Sequence, residues 1–483
     1  MVRWIGILFA TCLVIAASAQ SVVGDRHLYP ERLHTDIEML RNALHEAHPD
    51  PYRYHTRSEL DALIDAVRDS ITVPMDIVEF QRKVSTVLKA VGDSHCYAEW
   101  PPEFAARLRS VAWLLPLQIR ILPDGVYIEE ELKGFRSIPL GSRLEKINGR
   151  PIDEIVSTLA ATVVTDGANQ TYAFRVVERE FPQLYHLYIE QPGSFLVSYR
   201  TPEKEYGNQV IFAMTGAEIQ QTRKPNGASL LPWGSTWDPE RSVVWITMRT
   251  LDVDSLGRAG QRPDRFLQGV LAEAKRNKAR TMVIDLRGAD GGELAMAELV
   301  FASIAKTPFR LLNDMIVRSV SPPETRPAYQ VPSDFYASAN ARFLVGGQGV
   351  YRVPVSDDRL AEHLPMDRAF QGKVYILCDG RTRDAAAYVV MVARRQRRAR
   401  IVGEETGTNA FGSTGGAEWI VTGTGSGMRF HIPLLKYVPA GRGEGPMDRG
   451  EQPNHPAYQV PDGLARGYDS IRASLLELIS ELE

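Results

Sequence analysis

The chain has 483 residues, 44% of them hydrophobic and 24% charged, with a formal net charge of −3. That length predicts two or three domains, and the near-balanced charge gives no drive toward nucleic acid or an anionic surface. Beyond the first twenty residues no apolar run is long enough to cross a bilayer, so no stable membrane span is expected there.

The amino terminus, "MVRWIGILFATCLVIAASAQ", has one early arginine, an apolar run from Trp4 to Ala16 and then Ala17-Ser18-Ala19. Small residues at the last and third-last positions fit cleavage of a signal peptide before Gln20. Residues 1–19 are therefore expected to be removed, and the protein to be exported, to the periplasm or outside the cell. Cys12 is preceded by Thr11 and does not fit a lipid-attachment motif. Of the other two cysteines, Cys96 and Cys378, neither is expected to be paired: they are far apart in sequence, and small buried thiols are the simpler expectation.

Residues 25–108 read as a helical unit. Leu33, Ile37, Leu40 and Leu44 recur at helical spacing. Two further helices follow the "HPDPY" break, opened by capping residues Thr56 or Ser58 and Asp76. His45 and His48 in "HEAHP" are three apart, which is not zincin spacing; with no third ligand in view, no metal is expected.

Residues 109–225 read as mostly strand. Short β-rich runs such as "PLQIRIL", "GVYIEEEL" and "SFLVSYRT" are separated by Gly, Pro or Asn-Gly, and one helix, "IDEIVSTLAATV", interrupts them. The segment "GSRLEKINGRPIDEI" resembles a PDZ domain, in which an exposed sheet edge accepts an extended peptide as an added strand.

From residue 230 to 483 strands alternate with helices: "SVVWITM", "DRFLQGVLAEAKRN", "ARTMVIDLRG", "ELAMAELVFASIA", "GKVYILCDG", "DAAAYVVMVARRQ", "ARIVGEE". This pattern predicts an α/β layer with parallel strands. Ligands of such sheets sit beyond the carboxyl ends of the strands. Three of those ends carry unusual residues: "DLRGADGG", "CDGRTRD" and "GEETGTN". The run "ARRQRRAR", Ala393 to Arg400, is expected to be a solvated last helical turn, where cations suit the helix dipole; contact with anionic lipid or nucleic acid is the other reading.

"VGDSH", "INGRPI", "VIDLRGADGG", "DGRTRDAAAY" and "IVGEETG" occur in that order. Together they resemble the tail-specific protease family of serine peptidases, of the C-terminal processing and tricorn-core type. The resemblance covers nearly all of the chain after the signal peptide. It implies a crotonase-like or Clp-like α/β core, an inserted PDZ-like domain and a helical amino-terminal part. It also implies binding of a peptide or protein C-terminus, or of a small apolar ligand, and needs no cofactor. The family's Ser-Lys dyad is absent, because Asn409 stands at the lysine position. Its Ser-His-Ser-Glu tetrad maps onto Ser94 and His95, onto Asp384 at the nucleophile, and onto Glu444, with Asp448 second. The resemblance makes Gly291, Gly292 and the Ala385 amide the oxyanion donors.

Asp384 stands where the serine should be. A carboxylate is a poor nucleophile toward an amide, and its fixed charge would sit where negative charge should only develop. Peptidase activity is therefore expected to be lost or altered. Other routes, through Cys96, Cys378, Thr382 or an Asp–His-activated water, are less expected.

Overall fold

The computed structural model describes residues 27–134, 136–222, 231–324, 326–347 and 349–481. The expected signal peptide lies outside the described residues. No helix among them is long and apolar enough to cross a membrane.

The carboxyl-terminal part is built on a six-stranded sheet. Its order is Trp233–Asp238, Val243–Met248, Thr281–Asp285, Lys373–Cys378, Arg400–Gly403 and His455–Pro456. The first pair is antiparallel and the others are parallel. Strands such as "TMVID" are buried throughout, as expected for a sheet covered on both faces. The helices Pro263–Arg276, Leu294–Ala302 and Ala385–Arg395 cover one face, and Ser470–Glu481 packs on the other. A second, largely antiparallel sheet is centred on the long strands Ser413–Thr422 and Arg429–Pro439.

The amino-terminal helices Pro30–Glu46, Arg57–Asp69 and Ile77–Val91 form as the apolar spacing predicts. The latter two open on capping boxes, Thr56 with Glu59 and Asp76 with Glu79. Their apolar faces do not close on each other alone. Leu33, Ile37, Leu40 and Phe80 share one core with Trp419, Val421, Phe430 and Ile432 of the second sheet. The strand Tyr97–Glu99 pairs directly with Arg429–His431 of that sheet. The helical unit thus carries the residues after it, including His95, onto the α/β part.

The β-rich insert is a sheet of Leu117–Leu122, Gly125–Glu131, Arg143–Ile147, Ser194–Arg200 and Tyr206–Phe212, in that spatial order; Arg150–Pro151 pairs beside Arg143–Ile147. Tyr206–Phe212 is an edge strand. The expectation of mostly strand here needs correction. Besides Ile152–Ala160, a 19-residue helix runs from Gln170 to Tyr188. Tyr172, Ala173, Val177, Phe181, Tyr185 and Tyr188 lie on its buried side at helical spacing. Pro182 reads as a breaker in sequence. The chain tolerates it through a kink at Glu180, whose backbone leaves the helical region.

Candidate active site

Asp384 lies between the buried strand Lys373–Cys378 and the helix Ala385–Arg395, as the N-cap of that helix. Its backbone has φ 50° and ψ −124°, a conformation that a non-glycine residue holds only at a cost of about 1–3 kcal/mol. A sharp, strained strand-to-helix turn is how acyl-transfer enzymes lift a nucleophile clear of the sheet. The turn is held from several sides. The Asp384 amide donates to Thr408 Oγ1 (2.7 Å). The Arg383 amide donates to the Ala289 carbonyl (3.0 Å). The Thr382 hydroxyl donates to the Leu286 carbonyl (2.8 Å). The Asp384 carboxylate is thus presented from a strained, firmly held turn between strand and helix.

His95 Nε2 is 3.0 Å from Asp384 Oδ1, although Oδ1 makes no well-aligned hydrogen bond. Both side chains are about four-fifths buried. Burial works against the charged imidazole, but the Asp384 carboxylate outweighs it, and the His95 pKa is pushed up to about 9. Burial likewise opposes the Asp384 charge, and here His95 and Arg383 win and hold the carboxyl well below its usual range. At neutral pH the site is an imidazolium–carboxylate pair.

On the other side of the ring, His95 Nδ1 faces Asp93 Oδ1 at 3.8 Å without hydrogen-bonding it. Asp93 also accepts the His95 backbone N–H (2.9 Å) and the Thr414 hydroxyl (2.8 and 2.6 Å to its two oxygens). Its Oδ2 is 2.9 Å from His48 Nε2. Burial pushes the Asp93 carboxyl up, but His48, His95 and Thr414 hold it well below the usual range. The carboxylate behind the ring is thus Asp93, two residues upstream in "VGDSH". Sequence reasoning missed it and looked downstream. The signal was there, since an Asp at i−2 reaches the backbone N–H of residue i.

The other candidates are dispersed. Glu444 is exposed and paired with Arg394 (3.0 Å), near the far end of the helix that Asp384 caps, so it is not brought to His95. Asp448 offers its backbone carbonyl to the Ala168 amide. The Ser94 hydroxyl donates to Asp166 Oδ1 (2.6 Å) and accepts from Arg383 Nη2 (2.8 Å). Ser94 is therefore next to His95 in the chain, but its hydrogen bonds run to Arg383 and Asp166. Arg383 also donates to Asp290 (3.2 Å) and to the Tyr172 hydroxyl (3.1 Å), and stacks over that ring. Asp166 Oδ2 accepts the Asn409 amide (3.0 Å). This network joins the insert's long helix to the site, and its members Tyr172, Asp166 and Asp290 were not singled out from sequence.

Gly291 and Gly292 have φ of 81° and 107°. A Cβ on Gly292 would come within 2.4 Å of the Leu251 backbone, which only glycine avoids. Gly292, Asp384 and Ala385 line one cleft of about 630 Å³ with Leu294, Met315 and Tyr388. The Ala385 amide opens the helix behind Asp384, at the positive end of its dipole.

The alternative nucleophiles are out of reach. Cys96 and Cys378 are unpaired and fully buried, and burial pushes both thiols up, away from the reactive thiolate. Thr382 is fully buried, with its hydroxyl on Leu286. His45 and His48 share no ligand: His45 bonds to Tyr52 and Asp61, and His48 to Asp93. Asp93, His95 and Asp166 bring ligand-type atoms within 4.8 Å of one another. The Arg383 guanidinium, held on Ser94 beside that cluster, supplies a cation there already.

Residues 251–432, which include the glycine pair and the Asp384 turn, match the model of peptidase family S41. The chain carries a peptidase family S41 domain. His95 and Asp93 precede the matched span. Among solved structures, mature CPAF is similar with a TM-score of 0.64 at 13% identity, covering 94% of this chain and 98% of that one. A CPAF mutant gives 0.66 at 12% identity, covering 93% and 98%. At such identity the likeness is one of fold, and it extends well beyond the S41 domain to include the helical unit and the insert. A search of curated protein sequences gives no match.

The ion pair has a measurable signature. The His95 ring is expected to keep its proton to pH about 9 in the native chain, followed by ring NMR. In Asp384→Ala, burial and Arg383 remain while the main attraction is gone, so the value should fall below the ordinary ~6.5. Because the folded pKa of His95 is raised, its stabilisation is complete below pH ~6.5 and is lost as pH rises through about 9. The lowered Asp384 pKa contributes stability above pH ~3.9, lost on acidification. The stability gap between native protein and Asp384→Asn should therefore be widest between pH ~4 and ~6.5, at about 2 kcal/mol. A gap that widens from pH 7 to 9 would contradict the pairing.

Proposed function

We propose that this is an exported, tail-specific-peptidase-like protein whose peptide-bond hydrolysis is lost or altered at Asp384, and which retains the binding of an extended peptide. The observation that carries the proposal is the carboxylate in the strained nucleophile turn, ion-paired with the histidine that would serve as base. A protonated His95 cannot accept a nucleophile's proton, and a carboxylate beside the Ala385 amide repels the oxyanion that hydrolysis must form. The cleft beside Gly292, with apolar walls from Leu294, Met315 and Tyr388, suits a peptide backbone with apolar side chains or a small apolar ligand. The edge strand Tyr206–Phe212 offers a second place for strand addition.

The test is hydrolysis of unfolded peptide substrates by the native chain, Asp384→Ala and His95→Ala, beside labelling with a fluorophosphonate. The native chain should neither cleave at a rate above the His95→Ala background nor take up the label. Cleavage by the native chain that disappears in Asp384→Ala would sink the proposal, and would favour hydrolysis through an unusual nucleophile or an activated water.

A further inference from the structure

The arginine-rich segment after the Asp384 helix is not uniformly solvated. Arg394 is paired with Glu444 and Glu451, and Arg395 with Glu451. Arg398 is buried and donates to three main-chain carbonyls, those of Ile304, Gly372 and Phe370. These bonds leave Arg397 and Arg400 beside a cavity of about 1110 Å³, with Arg280 and Lys306 on its other walls. No carboxylate lines that cavity. None of these four side chains has an ion-pair or hydrogen-bond partner among the described residues. Lys373 lines the same cavity.

The four cations come from three separate chain segments. Arg280 and Arg400 stand at the amino ends of two parallel strands, Lys306 follows the helix Leu294–Ala302, and Arg397 lies in the connection from the Asp384 helix to the strand Arg400–Gly403. The cavity is thus at the end of the sheet opposite to the Asp384 turn. All four side chains are exposed, and an anion held among them would relieve the mutual repulsion of their like charges. Arg397 adds an independent sign. Its φ is 53°, two residues past the helix end, where glycine is the usual occupant. Arg398, clamped on three carbonyls, holds that connection rigid and presents Arg397 and Arg400 from a fixed backbone.

We infer that this cavity is an anion site, distinct from the peptide cleft, for a ligand carrying two or more phosphate-type groups. Arginine forks match phosphate oxygens two at a time, and three of the four unpaired cations are arginines. Their distribution around a cavity of this size suits several phosphates on one scaffold rather than a single ion. Free oligophosphate and a phosphorylated lipid headgroup share that chemistry.

Calorimetric titration and thermal unfolding of the full chain with inorganic tripolyphosphate test the inference. Saturable one-to-one binding with a raised Tm is expected. The double variant Arg280→Gln/Arg400→Gln should weaken it at least tenfold. Lys146→Gln/Lys204→Gln, which removes the same charge from the exposed insert, should leave it unchanged. Sedimentation with phosphatidic acid vesicles identifies the source: binding that tripolyphosphate displaces assigns a lipid headgroup, and absence of vesicle binding assigns a free oligophosphate. No saturable binding of tripolyphosphate, or equal weakening in both double variants, would overturn the site.

Discussion

Asp384→Ser is expected to turn on hydrolysis of unfolded peptides, by at least about a hundredfold over the native chain. That is the scale on which a positioned base and oxyanion donors act. Three changes coincide in this one substitution. The hydroxyl supplies a nucleophile in a turn already held at φ 50°. Loss of the carboxylate removes the main attraction that holds the proton on His95, so the ring becomes neutral near pH 7 and can accept the serine proton. The helix N-terminus at Ala385 is no longer occupied by a fixed anion and can stabilise a developing one. Asp93, anchored by His48 and Thr414, stays behind the ring to favour the imidazolium as it forms. The readout is cleavage of a denatured protein together with fluorophosphonate labelling at position 384. A serine variant that folds and takes no label would show that a hydroxyl in this turn is not enough for catalysis.

The second large effect is on folding. Asp93→Ala is expected to cost about 3 kcal/mol, seen as a lowered denaturant midpoint at unchanged slope. The Asp93 carboxylate accepts from Thr414 and the His95 amide and faces His48 Nε2, and Asp93 and His48 are both buried. Its removal leaves those groups without partners in a region closed to water. It also unties three parts of the chain: the turn after the first helix, the loop carrying His95, and the strand Ser413–Thr422. Asp93→Asn keeps the shape and part of the bonding and should cost less. A loss below about 1 kcal/mol for the alanine variant would mean that water replaces the carboxylate.

Much of the fold was legible because its signals are local. A buried run such as "TMVID", an amphipathic repeat such as Leu33-Ile37-Leu40-Leu44, and capping residues such as Asp76 each express themselves within a few residues. The helix Gln170–Tyr188 was hidden because Pro182 counts locally as a breaker, whereas burial of its aromatic face outweighs the kink. The resemblance to tail-specific proteases put His95 and Asp384 in one site although 289 positions separate them, since ordered motifs carry information that spacing alone does not.

What the sequence determined by itself was the identity of the side chain in the strained turn at position 384. No folding can make Asp384 a serine, and the choice of a carboxylate already restricts the chemistry. Only the tertiary structure decided that Asp93 rather than Glu444 stands behind His95, that Ser94 belongs to Arg383 and Asp166, and that Arg397 and Arg400 face a cavity without acids. The physical reason is the same in each case. Charge and hydrogen-bond pairing act through space over a few ångströms, and which groups come that close is settled by how the helical unit, the insert and the two sheets pack.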